Sequence, residues 1–153
     1  MHPEPHDDLR TASFRDLDTT TLYAILRLRS EVLVVEQQCA YGDIDGRDTE
    51  PGTRHVWFER DGDVRAYLRI LSEDGHERVG RVVTAKTARG AGLAGRLVAQ
   101  ALEIIGNRPS TLDAQAHLTG FYARHGYQPS GPEFLEDGIP HVPMIREATK
   151  PAH

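Results

Sequence analysis

Residues 78–105, RVGRVVTAKTARGAGLAGRLVAQALEII, constrain this chain more than any other stretch. Residues 78–84 are apolar and β-branched enough for a buried strand. Residues 89–95 then form a loop in which Gly90, Gly92 and Gly95 leave the backbone bare. From Leu93, the side chains of Leu97, Ala101, Ile104 and Ile105 recur at helical spacing and make an apolar face. Gly106 and Pro109 stop that helix. Unpaired N–H groups at the positive end of a helix dipole suit a phosphate or pyrophosphate. The plainer alternative is a tight glycine turn with no ligand.

Three kinds of phosphate loop compete. A P-loop needs Gly-Lys-Ser/Thr, but Arg96 and Leu97 follow Gly95. A Rossmann fingerprint is matched by letter in Gly90-x-Gly92-x-x-Gly95, with Asp113 at a suitable distance for a ribose-binding acid. Against it, residues 85–89 separate the strand from the glycines, and too little chain follows for a doubly wound sheet. Such a protein would bind NAD and not CoA.

The third kind is carried by two motifs. Arg89-x-x-Gly92-x-Ala94 resembles the acetyl-CoA loop of the GNAT N-acetyltransferases, Gln/Arg-x-x-Gly-x-Gly/Ala. Downstream, Phe121-Tyr122-Ala123-Arg124-His125-Gly126-Tyr127 is similar to that family's second motif, Phe/Leu-Tyr-x-x-x-Gly-Phe/Tyr. Val34-Val35-Glu36-Gln37, Asp43-Ile44-Asp45-Gly46, Gln115-Ala116-His117 and residues 136–141 resemble the ElaA-type branch. The resemblance extends over residues 9–147. It implies an α/β fold whose mixed sheet is splayed in the middle and flanked by helices.

Bulk properties agree with one such domain. A chain of 153 residues is one domain by size and can bury a core without staples. A net charge of −5 argues against a nucleic-acid partner. The single cysteine, Cys39, leaves no internal disulfide and suits a reducing cytosol. No apolar run reaches membrane-spanning length and no signal-peptide core is visible, so the cytoplasm is the expected compartment. Similar proteins are commonly dimers, so a homodimer is one expected assembly.

Along the chain, residues 1–8 read as a loose tail; its His2 and His6 could touch a metal, but a disordered tail is the stronger reading. Residues 9–14 suit an edge strand. Asp18 or Thr19 can cap a helix over 20–29, with Leu22, Ile25, Leu26 and Arg29 on one face, and 32–35 extends it as a short helix or turn. Residues 37–52 are a loop. Its Asp43, Asp45 and Asp48 suggest calcium, but Arg54 stands where an EF-hand needs glutamate. The alternatives are a solvated turn or a polar wall beside an amine-binding cleft. Strands at 55–60 and 64–71 flank Asp61-Gly62, a hairpin signal. A strand at 110–114 should lie parallel to the one before the central helix, through a right-handed crossover. A short helix over 118–125, a last strand over 141–146 and a tail at 148–153 complete the chain.

The resemblance also implies roles. Acetyl-CoA is the acetyl donor and an amine the acceptor, with no metal. The pyrophosphate would lie on Arg89, Gly90, Ala91, Gly92, Leu93, Ala94 and Gly95. The pantetheine arm would pair with the backbone of Val82, Val83 and Thr84. Gln115 stands where many relatives carry asparagine, seven residues before the motif tyrosine, and offers the same amide on a longer arm. Tyr122 is the candidate general acid for the departing thiolate, against a core tyrosine with a satisfied hydroxyl. Glu36, Glu77, His117 and His141 are candidate bases, with water as a further option. Glu36 follows an apolar run that could bury it; Glu77 could be an exposed strand end; Cys39 reads as a small side chain. Asp43, Asp45, Asp48, Glu136 and Asp137 would favour a cationic acceptor. A CoA-binding module without turnover is the rival reading from another class.

Overall fold

The computed structural model describes residues 6–149. Strand β1 (Asp8–Ala12) leads to helix α1 (Thr19–Arg29), where Asp18 accepts from the Thr21 N–H at 2.7 Å and so satisfies the first turn. The helix continues into a π-helical turn, Ser30–Glu36. After a long loop come β2 (Arg54–Arg60) and β3 (Asp63–Ser72), joined at Asp61 and Gly62, whose φ of 51° and 84° fit a type I′ hairpin turn. Then follow β4 (Glu77–Thr84), the glycine loop, α2 (Leu93–Ile105), β5 (Ser110–Gln115) and the short α3 (Thr119–Ala123). Two brief strands, β6 (Gln128–Pro129) and β7 (Phe134–Glu136), precede β8 (Ile139–Arg146). No described helix is long and apolar enough to cross a membrane.

The strands form one sheet in the order β1-β2-β3-β4-β5-β8-β6, with β7 pairing β8 off that path. Only β4 and β5 run parallel, as expected across the α2 crossover. A doubly wound sheet is parallel throughout its core, so the dinucleotide-binding alternative does not describe this fold.

Helices cover both faces of the sheet. Leu93, Leu97, Val98, Ala101 and Ile105 of α2 pack on Val56, Phe58, Leu68 and Ile70. On the other face, Ile25 and Leu28 of α1 and Val32 meet Trp57, Tyr67 and Val83. Each fully buried large aliphatic chain, such as Ile25 or Leu97, contributes roughly 1.5–3 kcal/mol. The buried stripe of α1 centres on Ile25, Leu28 and Arg29, while Leu22 and Leu26 are half-buried.

Two features of β4 open the sheet. It pairs with β5 only at Glu77↔Ser110 and Arg78↔Thr111, and then the strands part. On its other edge, the register with β3 slips between Tyr67↔Val83 and Arg69↔Gly80, so that Arg81 and Val82 together face Leu68. This is a β-bulge, and Arg81 sits in the left-handed region with φ 54°. Such a conformation costs on the order of 1–3 kcal/mol for a non-glycine residue and persists only where surroundings hold it.

The described parts of the expected tails, within residues 1–8 and 148–153, are tied to the domain. Asp7 is buried between Arg60 and Arg65, Asp8 opens β1, and Thr149 bonds to Asn107 through both its N–H and its hydroxyl. His2 lies outside the described residues, and His6 pairs with Asp8 at 3.0 Å.

Candidate active site

The parting of β4 and β5 makes a cleft of about 380 Å³. Val79 and Val82 line it from β4, Leu112 and Gln115 from β5, Tyr122 from α3 and His141 from β8. At the end of β4 lies the glycine loop. Gly90 and Gly92 have φ of 88° and 75°, and Gly92 is the residue before the first turn of α2. A Cβ on either would meet no protein atom within 4 Å, so the loop offers bare backbone to open space. The Arg96 N–H is bonded to the Gly92 carbonyl, whereas the helix N–H groups before it have no intrahelical acceptor. Leu93 is buried and anchors the loop, while Ala91 is exposed and Ala94 half-buried. Gly95 faces α3: a Cβ there would make ordinary contact with Phe121 at 3.8 Å and His125 at 3.9 Å. Arg89 folds back from the loop, giving two bonds of 3.2 Å to the Thr84 carbonyl and a bidentate pair of 2.6 Å each to Glu36.

The two tyrosines of the second motif differ. Tyr127 exchanges a 2.6 Å hydrogen bond with the Ser110 hydroxyl. The Tyr122 hydroxyl has no hydrogen-bond partner among the described residues, although its side chain is almost wholly buried and borders the cleft. Its ring meets Phe121 and Tyr127 edge-on. Burial, with the neighbouring Tyr127, pushes its pKa up to about 12, so the hydroxyl keeps its proton at neutral pH. The satisfied core tyrosine is therefore Tyr127, not Tyr122.

The candidate bases separate in space. Glu36 is not buried by the apolar run before it: it is part-exposed, borders a second groove beside Lys86 and Thr87, and has its pKa held down chiefly by the Arg89 hydrogen bond. Glu77 is not an exposed strand end. It is buried at the closed end of the splay, paired with Arg108 and accepting from Ser72 at 3.3 Å. His117 is exposed and does not line the cleft. His141 does line it; its Nδ1 donates to the Ile139 carbonyl at 2.7 Å and its ring stacks on Phe134. Gln115 also lines it, with its amide 3.4 Å from that of Gln37. Val82 lines the cleft, whereas the Val83 side chain packs under α1, leaving only its backbone to this site.

The aspartates of the long loop are neither a solvated turn nor free acids for an amine. Arg29, fully buried at the end of α1, bonds Asp43 at 3.0 Å and Asp48 at 2.7 Å. Arg69 takes Asp45 at 2.5 and 2.9 Å and Asp48 at 3.1 Å. Arg81 reaches Asp43 at 2.9 Å and lies over the Tyr41 ring, whose hydroxyl donates to Asp43 at 2.6 Å. Three guanidiniums thus neutralise three carboxylates and tie the loop to the α1 face of the sheet. Asp45 is held far below the usual carboxylate range, first by its Arg69 hydrogen bonds. The same ties hold the left-handed Arg81 in place, and with it the β4 bulge. Beside them His55 bonds the Tyr67 hydroxyl at 2.6 Å and the Asp48 carbonyl at 3.0 Å; burial lowers its pKa. Of the acids expected to favour a cation, only Glu136 and Asp137 remain on the cleft without an ion pair among the described residues.

This network carries the wall of the cleft, and the sequence reading missed it. The one signal was Arg29 on the apolar face of a helix, where an arginine needs a buried partner.

Comparison with known proteins agrees with this geometry. The family model described as "Acetyltransferase (GNAT) domain" matches residues 28–148. The UPF0039 protein Rv2851c of Mycobacterium tuberculosis is 50% identical over 143 residues, covering 90% of this chain and 92% of that protein. Protein ElaA of Escherichia coli is 42% identical over 139 residues, covering 86% and 91%. The crystal structure of an acyl-CoA N-acyltransferase from Pseudomonas aeruginosa superposes with a TM-score of 0.88 at 41% identity, covering 92% of this chain and 99% of that one.

Proposed function

The chain belongs to the GNAT acetyltransferases, among relatives that include ElaA and the UPF0039 proteins, and we propose that it moves acetyl from acetyl-CoA to a primary amine of a small molecule or peptide. Residues 9–147 act as one domain in this reading. The observation that carries it is the splay, which joins the bare glycine loop at one end to an unpartnered tyrosine hydroxyl inside.

Acetyl-CoA, when bound, supplies a thioester carbonyl that a neutral amine can attack without a covalent enzyme intermediate. The N–H groups of residues 89–95, at the positive end of α2, hold the pyrophosphate. The backbone of Val82, Val83 and Thr84 aligns the pantetheine arm, with the Gln115 amide as a side contact. The splay supports this role, because β4 pairs with β5 only at Glu77 and Arg78, so no described strand pairs with Val82, Val83 and Thr84 on that edge. An N–H held there polarises the carbonyl and stabilises the negative charge that develops on its oxygen. Tyr122 gives its proton to the departing sulfur.

Replacing Tyr122 by phenylalanine tests the assignment. Acetyl-CoA affinity should stay within about twofold, and amine-dependent thiol release should fall by about 100-fold, the usual order for losing a general acid. Unchanged turnover removes the role from Tyr122. Tight acetyl-CoA binding with no thiol release on any primary amine would favour the module without turnover.

A further inference from the structure

Direct attack requires a neutral amine, so the ammonium form must lose a proton, to water or to a group in the cleft. We infer that His141 is that general base, acting through Nε2; this rests on the acetyl-transfer reading above. His141 is paired in register with Gln115 on β5 and with Phe134 on β7. Facing residues on antiparallel neighbours project to the same side of a sheet, so all three side chains share one face. The ring is fixed twice: it stacks on Phe134 with centroids 5.9 Å apart at 26°, and Nδ1 lies 2.7 Å from the Ile139 carbonyl oxygen. A carbonyl only accepts, so Nδ1 carries the hydrogen. In the neutral ring the lone pair is then on Nε2, which has no partner among the described residues.

The other groups on the cleft are spoken for or badly placed. Asp113 is paired with Arg78, and Arg69 and Arg81 are paired with the loop aspartates. Tyr41 donates to Asp43, and the Cys39 thiol points at the Asp137 carbonyl. Glu136, at the end of β7, and Asp137, on the turn after it, are exposed on the rim, whereas His141 is half-buried within. Tyr122 holds its proton and serves as donor. Nε2 takes one proton from the ammonium and passes it to solvent. The freed nitrogen lone pair forms the C–N bond as the C–S bond breaks. Sulfur takes the Tyr122 proton, and the tyrosinate regains one from the new amide nitrogen, so one proton is released per transfer.

The test uses His141→Asn, whose side-chain amide can still donate to the Ile139 carbonyl but cannot act as a base, and His141→Ala. Acetyl-CoA and a panel of primary amines are the substrates, with thiol release as readout. We expect His141→Asn to bind acetyl-CoA as the wild type does and to lose about 100-fold in kcat. Raising pH should restore much of that loss, because the amine then arrives neutral, and added imidazole should rescue His141→Ala. Equal turnover of wild type and His141→Asn across the pH range overturns the inference and leaves the acetyl-transfer reading standing. Absence of acetyl-CoA binding by the wild type overturns that reading instead. Nitrogen-15 NMR of the free protein decides the geometry without turnover. Hydrogen on Nδ1 and a bare Nε2 in the neutral ring are expected; hydrogen on Nε2 overturns the assignment.

Discussion

Replacing Arg29 by methionine removes the centre of the ion network while keeping an unbranched chain in the same space. The arginine is fully buried and makes bonds of 3.0 Å to the Asp43 carboxylate, 2.7 Å to Asp48 and 2.9 Å to the Asp43 carbonyl. Removing one partner of a buried pair costs about 3–5 kcal/mol, because a charge is left without compensation. The low end applies here. Asp48 keeps Arg69 at 3.1 Å, and Asp43 keeps Arg81 at 2.9 Å and Tyr41 at 2.6 Å. A loss of about 3 kcal/mol lowers Tm by roughly 6–12 °C for a chain of this size. Urea unfolding of Arg29→Met, Asp48→Asn and the double variant measures it. The double variant should fall short of the sum of the singles by at least about 1 kcal/mol, since both remove the same contact. A single-variant loss under about 1 kcal/mol, or strict additivity, would refute the view of these residues as one unit.

Two further outcomes follow from the loop and the buried histidine. Gly92→Val puts a β-branched side chain at φ 75°, and should weaken acetyl-CoA binding by roughly 5- to 30-fold given a left-handed penalty of about 1–2 kcal/mol, whereas Gly95→Ala should bind nearly as the wild type does; calorimetry on both variants separates the two. Burial lowers the folded-state pKa of His55 and, with Arg124 nearby, that of His125. The unfolded chain therefore takes up these protons first, and stability should fall as pH drops below about 6.5, by at most about 1.4 kcal/mol per pH unit for each group. The lowered pKa values of Asp18, Asp45 and Asp48 act in a separate window, below the ordinary carboxylate range. His55→Asn should flatten the urea-midpoint slope between pH 5 and 6.5 by about half; an unchanged slope would show that His55 is not one of its sources.

The parts of the fold that were legible in the sequence are those fixed by local rules. The α2 stripe, the Asp61-Gly62 turn and the Asp18 cap each need only a few adjacent residues, and all stand as read. Strands β6 and β7, of two and three residues, are too short to show a period and exist because β8 offers an edge. The long-range partners were hidden for a related reason. Asp48 and Arg69 are 21 positions apart, and nothing in either segment says that its charge will be buried. The acidic loop therefore read as solvated or amine-binding, when its charge is already spent on arginines. Glu77 shows the same limit: strand position placed it, but only the fold shows Arg108 closing over it. The glycine loop was legible because its shape depends on backbone conformation, with Gly90 and Gly92 at φ of 88° and 75°, which glycine spacing displays directly.

Parallel calorimetric titrations of the full chain with acetyl-CoA, CoA and NAD test the central claim most directly. Binding of acetyl-CoA and CoA, with no heat from NAD, is the result that a splayed sheet with a pyrophosphate loop predicts. Binding of NAD alone, or of none of the three, would contradict it.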